Sequence, residues 1–299
     1  MFDFDTIIDR RNTASLKWDR YAGQDIIPLW VADMDFRSPP AVLDALQQRV
    51  EYGVFGYSSP PEELVEVVLA MLRHEYSWQV QPEWLVWLPG LVCGLNVACR
   101  AVGVPGDAVV TFTPVYPPFL TAPGLAGREL ITVPLVEQQG SWEMDLEALE
   151  QAITPRTRLL MLCSPHNPVG RVWSRAEQLA LADLIERHDL MVCSDEIHAG
   201  LVLDNGKTHI PFATLTPELA RRTITLLAPS KTYNIPGLGC SFAVIPDAGL
   251  RRVFKGVMDG IVPHVNLLGY AAALAAYRDG EPWRQALLAY LRQIGRAHV

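Results

Sequence analysis

Short apolar runs alternate with segments of helical period along most of the chain. An apolar run that stops at turn residues is typical of a buried strand, and such runs lie at residues 84–88, 108–113, 129–136, 158–163, 190–194, 224–228 and 240–245. Apolar residues spaced three and four apart are typical of an amphipathic helix, and this spacing occurs at residues 38–53, 62–76, 145–150, 174–187, 248–259, 265–277 and 282–294. A further helix is predicted to open at Gly90, directly after the first strand.

Two helix starts carry local signals. Ser38 before Pro39 and Pro40 predicts a helix with serine as its N-cap and proline in its first turn. Ser174 followed by Glu177 is a capping box. The helix that starts at Ser174 joins the strands at 158–163 and 190–194 into one strand–helix–strand unit. Such a crossover places its two strands parallel in one sheet, so the predicted fold class is α/β.

Three of the predicted strands are followed by polar residues. Asn167 comes after 158–163, Asp195 after 190–194 and Lys231 after 224–228. In open α/β sheets, ligands bind beyond the carboxyl ends of the strands. A lysine there can form a Schiff base with a carbonyl, a carboxylate can pair with a pyridinium nitrogen, and an amide can bond a phenolic oxygen. Together they favour a pyridoxal phosphate (PLP) site, although a surface lysine, a helix N-cap and an Asn-Pro turn are the structural alternatives.

Composition and charge narrow the classes of function. The 299 residues are 49% hydrophobic and 19% charged, which is typical of a soluble globular protein. A net charge of −8 without a basic cluster argues against nucleic acid as a partner. No apolar stretch reaches the roughly 18 residues of a membrane span, and residues 1–5 lack the basic start and apolar core of a signal peptide. The expected location is the cytoplasm.

The five cysteines occur singly, in apolar surroundings. Since none of them forms a C-x-x-C pair, the sequence does not predict a zinc site, and no metal is expected. Free buried thiols in a reducing cytoplasm are the expectation instead.

Five segments carry a resemblance to a known family. The chain resembles fold-type I PLP enzymes of the aminotransferase class I/II superfamily, and within it the cystathionine β-lyase (MalY/PatB-type C–S lyase) branch. The segments follow the family's order across nearly the whole chain, and they are 31–36 (VADMDF), 53–57 (GVFGY), 164–170 (SPHNPVG), 194–198 (SDEIH) and 229–237 (PSKTYNIPG).

The resemblance implies a domain organisation. A large PLP-binding domain, with a mostly parallel mixed sheet flanked by helices, is expected at residues 38–270. Residues 1–37 would form an N-terminal arm or part of the small domain, and 271–299 would begin the C-terminal small domain. The family carries a further segment beyond the point that corresponds to Val299, and that segment supplies an arginine for the substrate carboxylate. An incomplete small domain is therefore expected.

The resemblance also assigns roles around the cofactor ring. Lys231 would hold PLP and then remove the proton from Cα of the substrate. Asp195 would pair with the pyridine nitrogen, Asn167 would donate to the phenolic oxygen, and Tyr116 would stack on the ring. His198 is either a polar contact near the ring or a satisfied core histidine.

Further residues are implied for the phosphate and the substrate. Gly90, Leu91 and Val92 open a helix whose free backbone N–H groups suit a phosphate, and Ser230 is a second candidate. Tyr57 would reach the phosphate in the neighbouring subunit, which implies a homodimer with shared active sites. Ala32 and Asp33 would lie against the substrate. For Tyr57, Tyr116, Asp33 and Asp35, simple loop packing or capping is the alternative.

The implied activity is cleavage of the C–S bond of L-cystathionine or a cysteine S-conjugate to pyruvate, ammonia and a thiol. Many aminotransferases carry an arginine eight residues after the lysine, where this chain has Gly239, which favours the lyase branch. An aminotransferase and an inactive PLP-fold protein with a regulatory role are the alternatives.

Overall fold

A seven-stranded mixed sheet forms the centre of the protein. The computed structural model describes residues 2–294. The sheet has the strand order β1-β9-β8-β7-β6-β2-β3, and β4 and β5 pair separately as an antiparallel hairpin. The strands are β1 (Leu85–Leu88), β2 (Ala108–Thr113), β3 (Glu129–Pro134), β4 (Val136–Gln138), β5 (Ser141–Glu143), β6 (Thr157–Cys163), β7 (Met191–Asp195), β8 (Thr223–Leu227) and β9 (Ser241–Val244).

Strand direction places one end of the sheet under the candidate site. Strands β3, β2, β6, β7 and β8 run parallel. Strand β9 is antiparallel to both β8 and β1, so β1 points the same way as β8. The carboxyl ends of β1, β6, β7 and β8 therefore lie at the same edge of the sheet. The prediction of a mostly parallel mixed sheet flanked by helices is confirmed.

Helices cover the sheet and continue beyond it. They are α1 (Leu16–Asp19), α2 (Pro40–Tyr52), α3 (Glu62–Tyr76), α4 (Leu91–Ala101), α5 (Pro118–Leu125), α6 (Leu146–Ala152), α7 (Arg175–Arg187), α8 (Pro217–Arg222), α9 (Ala248–Met258), α10 (Leu267–Asp279) and α11 (Glu281–Ile294). None of the helices in residues 2–294 combines the length and the apolar character that a membrane crossing needs.

The two faces of the sheet bury separate cores. Along β2, Val109 points into a core that includes Leu95 of α4, and its neighbour Val110 points into a core that includes Leu181 of α7. This alternation follows from the two-residue period of a strand. Because both faces are covered, the strands consist of nearly continuous apolar runs, as is typical of parallel sheets.

Helices α10 and α11 lie against the N-terminal part of the chain. Phe4, Val42 of α2, Ala272 of α10 and Leu287 of α11 share one core cluster, together with Tyr233 from the loop after β8. The domain boundary predicted between residues 270 and 271 falls within α10. Residues 1 and 295–299 of the predicted terminal regions lie outside the described residues.

Two local expectations differ from the structure. Helix α2 takes Pro39 as its N-cap residue, whereas Ser38 donates its hydroxyl to the Asn234 carbonyl at 2.9 Å, so the prediction of a serine cap was wrong. The strand predicted at 129–136 ends at Pro134, and Val136 begins the hairpin. Helices α1, α5 and α8 were not predicted. The Ser174 capping box is confirmed.

Candidate active site

The polar residues at or just after the carboxyl ends of β6, β7 and β8 lie together at that edge of the sheet. Hydrogen bonds continue the strand pairing beyond the strands themselves. The Ser164 amide donates to the Asp195 carbonyl at 3.0 Å, and the Glu196 amide donates to the Leu226 carbonyl at 2.9 Å. These bonds hold the first residues of the three loops in fixed relation to one another.

Lys231 lies in a turn just after β8. The Tyr233 amide donates to the Pro229 carbonyl at 2.9 Å, which folds the backbone around the lysine. The Lys231 ammonium donates to the Ala32 carbonyl at 2.7 Å. Burial lowers the pKa of Lys231, and the charges of Asp33 and Asp195 oppose that effect. A lowered pKa increases the fraction of neutral, nucleophilic amine near neutral pH.

Asp195 is a buried carboxyl group with few partners. Its residue is 4% exposed, and Oδ1 accepts a hydrogen bond from the Ile197 amide at 3.1 Å. Burial raises the pKa of Asp195 to about 7; the Glu196 charge adds to this rise, and the Ile197 bond and Lys231 oppose it. A cationic group placed against this carboxyl would favour its ionised form.

Asn167 and Tyr116 belong to two loops that are bonded together. The Tyr116 amide donates to the Asn167 carbonyl at 3.1 Å. His166, which is buried, bonds the Pro114 carbonyl through Nε2 at 2.8 Å, so Nε2 carries the proton. The side chain of Asn167 is half-buried and makes no hydrogen bond within residues 2–294. Its amide is therefore available to a ligand.

Tyr116 lies near the carboxyl of Asp195. The ring is 38% exposed. Burial raises the pKa of Tyr116, and the Asp195 charge contributes to that rise. A partly exposed aromatic face beside a carboxylate can cover a flat heteroaromatic ring that the carboxylate holds.

The N-terminus of α4 lies at the same edge, because α4 follows the carboxyl end of β1. Gly90 is the N-cap residue, and Leu91 and Val92 form the first turn. The first backbone N–H groups of a helix have no partner within it, so they can bind an anion. Gly94 lets α4 lie close to β8, since a Cβ atom there would meet Leu226 Cδ2 at 2.9 Å. Ser230 is half-buried next to Lys231.

The loop with Ala32 and Asp33 is held from two sides. Asn234, three residues after Lys231, accepts from the Met34 amide at 2.9 Å and donates to the carbonyls of Met34 at 2.9 Å and Phe36 at 2.8 Å.

An ionic cluster holds the other side of this loop. Arg10 pairs with both Asp33 and Asp35, and the buried Lys17 donates to Asp35 at 2.7 Å and to the Asp33 carbonyl at 2.9 Å. The sequence analysis did not predict three of these residues for the site: Arg10, Lys17 and Asn234.

His198 lines a cavity of about 510 Å³ with Ala32 and Asn167. Burial, together with a smaller effect from the charge of Lys231, lowers the pKa of His198 to about 4. The imidazole is therefore neutral near pH 7. Its position on the cavity favours a polar contact with a bound molecule over a purely structural role.

Tyr57 lies apart from the other predicted site residues. Its side chain is fully exposed and lines a separate groove of about 1130 Å³ with Phe55 and His264. The described lining of that groove includes neither Lys231 nor Asp195. One chain therefore does not bring Tyr57 to the edge of the sheet where the other groups meet.

Known proteins are similar to this chain in both sequence and fold. The model of the family "Aminotransferase class I and II" matches residues 24–297. Cystathionine β-lyase PatB of Bacillus subtilis (strain 168) is 39% identical over 297 residues, which cover 97% of this chain and 76% of that protein. The crystal structure of OvoB has a TM-score of 0.95 and 51% identity, over 98% of this chain and 77% of that one. The PLP-bound C–S lyase of Staphylococcus hominis has a TM-score of 0.91 and 33% identity, over 98% and 75%.

Proposed function

Since the chain belongs to the aminotransferase class I and II family, we propose that it is a PLP-dependent carbon–sulfur β-lyase. Its substrate is L-cystathionine or a cysteine S-conjugate, which it converts to pyruvate, ammonia and a thiol. Relatives named cystathionine β-lyase and C–S lyase support this reaction. The observation that carries the proposal is that Lys231, Asp195 and Asn167 meet at one edge of the sheet.

The groups at this edge fit PLP by their chemistry. Asp195 offers a buried carboxyl group with a single hydrogen-bond donor within residues 2–294, which suits a cationic ring nitrogen. The unbonded amide of Asn167 suits the phenolic oxygen, and the half-exposed ring of Tyr116 suits the ring face. The open N–H groups after Gly90 suit the phosphate. Lys231 is the amine that would bind the aldehyde carbon.

When bound, PLP supplies an electron sink for the electron pair left at Cα. The residues of this chain carry out the proton transfers and hold the reacting groups in place. The Lys231 amine takes the proton from Cα, and the lowered pKa of Lys231 increases the neutral fraction of that amine, which is the form that can accept the proton. Asp195 holds the proton on the ring nitrogen. The Cβ–S bond then breaks, the sulfur leaves as a thiol, and one water molecule is consumed overall as pyruvate and ammonia form.

We also propose that the protein is a homodimer in which Tyr57 completes the partner's site. The exposed apolar residues at the N-terminal side support an interface, since monomers rarely expose such patches: Ile27 is 78%, Leu29 87% and Phe55 58% exposed. In that arrangement the exposed Tyr57 would bind the phosphate held by the other subunit. Light scattering is expected to give about twice the chain mass of 33.2 kDa.

The cytoplasm is the proposed location. All five cysteines are free, and four of them are buried. Cysteines that remain unpaired suit a compartment that keeps thiols reduced.

An absorbance titration with PLP tests the function. The protein is expected to gain a visible absorption band on adding PLP, and L-cystathionine is expected to change that band with release of pyruvate. The assay contains no keto-acid acceptor. If the substrate reacts only after such an acceptor is added, the protein is an aminotransferase. A band without turnover would point to an inactive PLP-binding protein.

Matched lysine variants provide the control. Lys231→Ala is expected to lack the band, which borohydride reduction should abolish in the unmodified protein. Lys255→Ala, at an exposed position of α9, is expected to keep the band and to lose it on reduction. A band that persists unchanged in Lys231→Ala would contradict the assignment of Lys231.

A further inference from the structure

Asn234 lies in the same turn as Lys231. The Ile235 amide donates to the Ser230 carbonyl at 3.0 Å, and this bond closes a six-residue turn around both residues. Asn234 is the fifth residue of the turn and has a φ of +54°. A bond from the sixth residue to the first, with a left-handed fifth residue, is typical of a Schellman turn. Asparagine tolerates that conformation better than most residues. The backbone that carries Lys231 is therefore well defined.

The side chain of Asn234 binds the backbone of a distant loop. Its Oδ1 accepts from the Met34 amide at 2.9 Å, and its Nδ2 donates to the carbonyls of Met34 at 2.9 Å and Phe36 at 2.8 Å. These bonds use both N–H groups and the oxygen of the carboxamide. The Asn234 carbonyl also accepts from the Ser38 hydroxyl at 2.9 Å. The turn and the loop are thus joined by four hydrogen bonds.

These bonds form a ring of contacts with Lys231. The Lys231 ammonium donates to the Ala32 carbonyl at 2.7 Å. Ala32 precedes Met34 by two residues, and Asn234 follows Lys231 by three. The side chain of lysine is a flexible four-carbon stem, so the place of its nitrogen depends on a fixed acceptor. The ring of contacts supplies that acceptor at a defined distance from the backbone of Lys231.

The bond to Ala32 also affects the direction in which the Lys231 amine can react. A neutral amine has two N–H groups and one lone pair, and the lone pair is what accepts a proton. When one N–H donates to the Ala32 carbonyl, rotation about the Cε–Nζ bond is restricted. Proton transfer needs the accepting atom within reach and correctly aligned. A carbonyl held in place therefore directs the lone pair.

We propose that Asn234 is a positioning residue for the Lys231 amine, and that it acts through the Ala32 carbonyl. This inference rests on the proposed function, because it takes Lys231 as the group that removes the proton from Cα of the substrate. The competing explanation is that the ionic cluster of Arg10 and Lys17 fixes the loop by itself. In that case the bonds of Asn234 add stability to the fold and nothing to the reaction.

Hydrogen exchange of the Met34 amide in the PLP-free protein tests the ring of contacts. Lys231→Ala removes the donor to Ala32, whereas the Met34 amide bonds Asn234. If the bonds support one another, this variant should exchange the Met34 amide about threefold faster. Lys255→Ala, at an exposed position of α9, is the control and should leave the rate unchanged. An unchanged rate in Lys231→Ala would overturn the proposal.

Asn234→Gly tests the positioning role itself. Glycine adopts a positive φ without strain, so the turn with Lys231 is kept while the three side-chain bonds are lost. Gln139→Gly is the matched control, because Gln139 is also a carboxamide residue with a φ of +52°, at an exposed position between β4 and β5. Urea unfolding shows whether both variants are folded. If Asn234→Gly does not fold, the exchange rate in Lys231→Ala decides alone.

The variants are then compared with PLP and L-cystathionine. Asn234→Gly is expected to keep its affinity for PLP and to release pyruvate about tenfold more slowly. Because the loss falls on proton transfer, the isotope effect with substrate deuterated at Cα should be at least as large as in the unmodified protein. Gln139→Gly should change none of these quantities.

The outcomes separate the proposal from its premise. An unchanged rate of pyruvate release in Asn234→Gly, or a slower rate with weaker PLP binding or a smaller isotope effect, would favour the purely structural explanation. If the unmodified protein binds PLP and releases no pyruvate, the proposed function fails. The exchange of the Met34 amide still shows in that case whether Asn234 and Lys231 hold the loop together.

Discussion

Asp195→Asn should stabilise the PLP-free protein while it weakens PLP binding. The carboxyl is buried, and its only hydrogen-bond donor within residues 2–294 is the Ile197 amide. Asparagine keeps an oxygen for that donor and removes a charge that burial disfavours. The same change removes the carboxylate that we assign to the ring nitrogen. Stability and function should therefore move in opposite directions.

The structure gives the sign and the size of the effect. The pKa of Asp195 is about 7 in the folded chain, against an ordinary value of 3.8. Between these values the folded state holds a proton that the unfolded state has lost, so stability falls as pH rises through this window, and the fall is complete above pH 7. At about 1.4 kcal/mol per pKa unit, the loss reaches about 4 kcal/mol at about pH 8 and about 2 kcal/mol at about pH 5.

Urea unfolding of the PLP-free protein measures this prediction. Asp195→Asn is expected to be more stable than the unmodified protein, and its advantage should grow by about 2 kcal/mol between about pH 5 and about pH 8. Asp44→Asn, at an exposed position of α2, serves as the control and should show no such growth. An advantage that does not change with pH would show that the Asp195 carboxyl is not perturbed, and the argument would fail.

Two further predictions concern Asp33 and Tyr57. Asp33→Asn removes a charge that opposes the effect of burial, so the pKa of Lys231 should fall further. The pH profile for acylation of Lys231, followed by peptide mass spectrometry, should move to lower pH. An unmoved profile would argue against the coupling between Asp33 and Lys231. Inactive Lys231→Ala and weakened Tyr57→Ala, refolded together, should regain up to about a quarter of full activity, because the mixed dimer has one intact shared site. No gain on mixing would place Tyr57 in its own subunit's site.

The sheet could be predicted because its strands are buried on both faces. Such strands are continuous apolar runs bounded by turn residues, and the run at 108–113 has the bounds of β2. Helix α3 also has its predicted bounds. Helix α5 could not be predicted, since residues 118–125 contain two prolines and a glycine, which locally disfavour a helix. Contacts with the rest of the fold override that preference.

The candidate site also has one part that local sequence patterns predict and one part that they do not. Asn167 and Lys231 follow strands and Asp195 ends one, and parallel strands end at a common edge, so their convergence could be inferred from local patterns. The bonds of Asn234 to Met34 join residues 200 positions apart. A pattern of neighbouring residues does not encode such partners, which only the folded chain brings into contact.

The same geometry explains why a cofactor would stabilise this fold. Without one, Asp195 is buried with a single donor within residues 2–294, and Lys231 is half-buried with a backbone carbonyl as its partner. Burial disfavours the charged form of each group. A ligand with a cationic ring nitrogen and an aldehyde would reduce both of these costs. The ring nitrogen would pair with the Asp195 carboxylate, and the aldehyde would react with the Lys231 amine. Because only the folded chain assembles these groups, such a ligand binds the folded state alone and raises its stability in proportion to RT ln(1 + [L]/Kd).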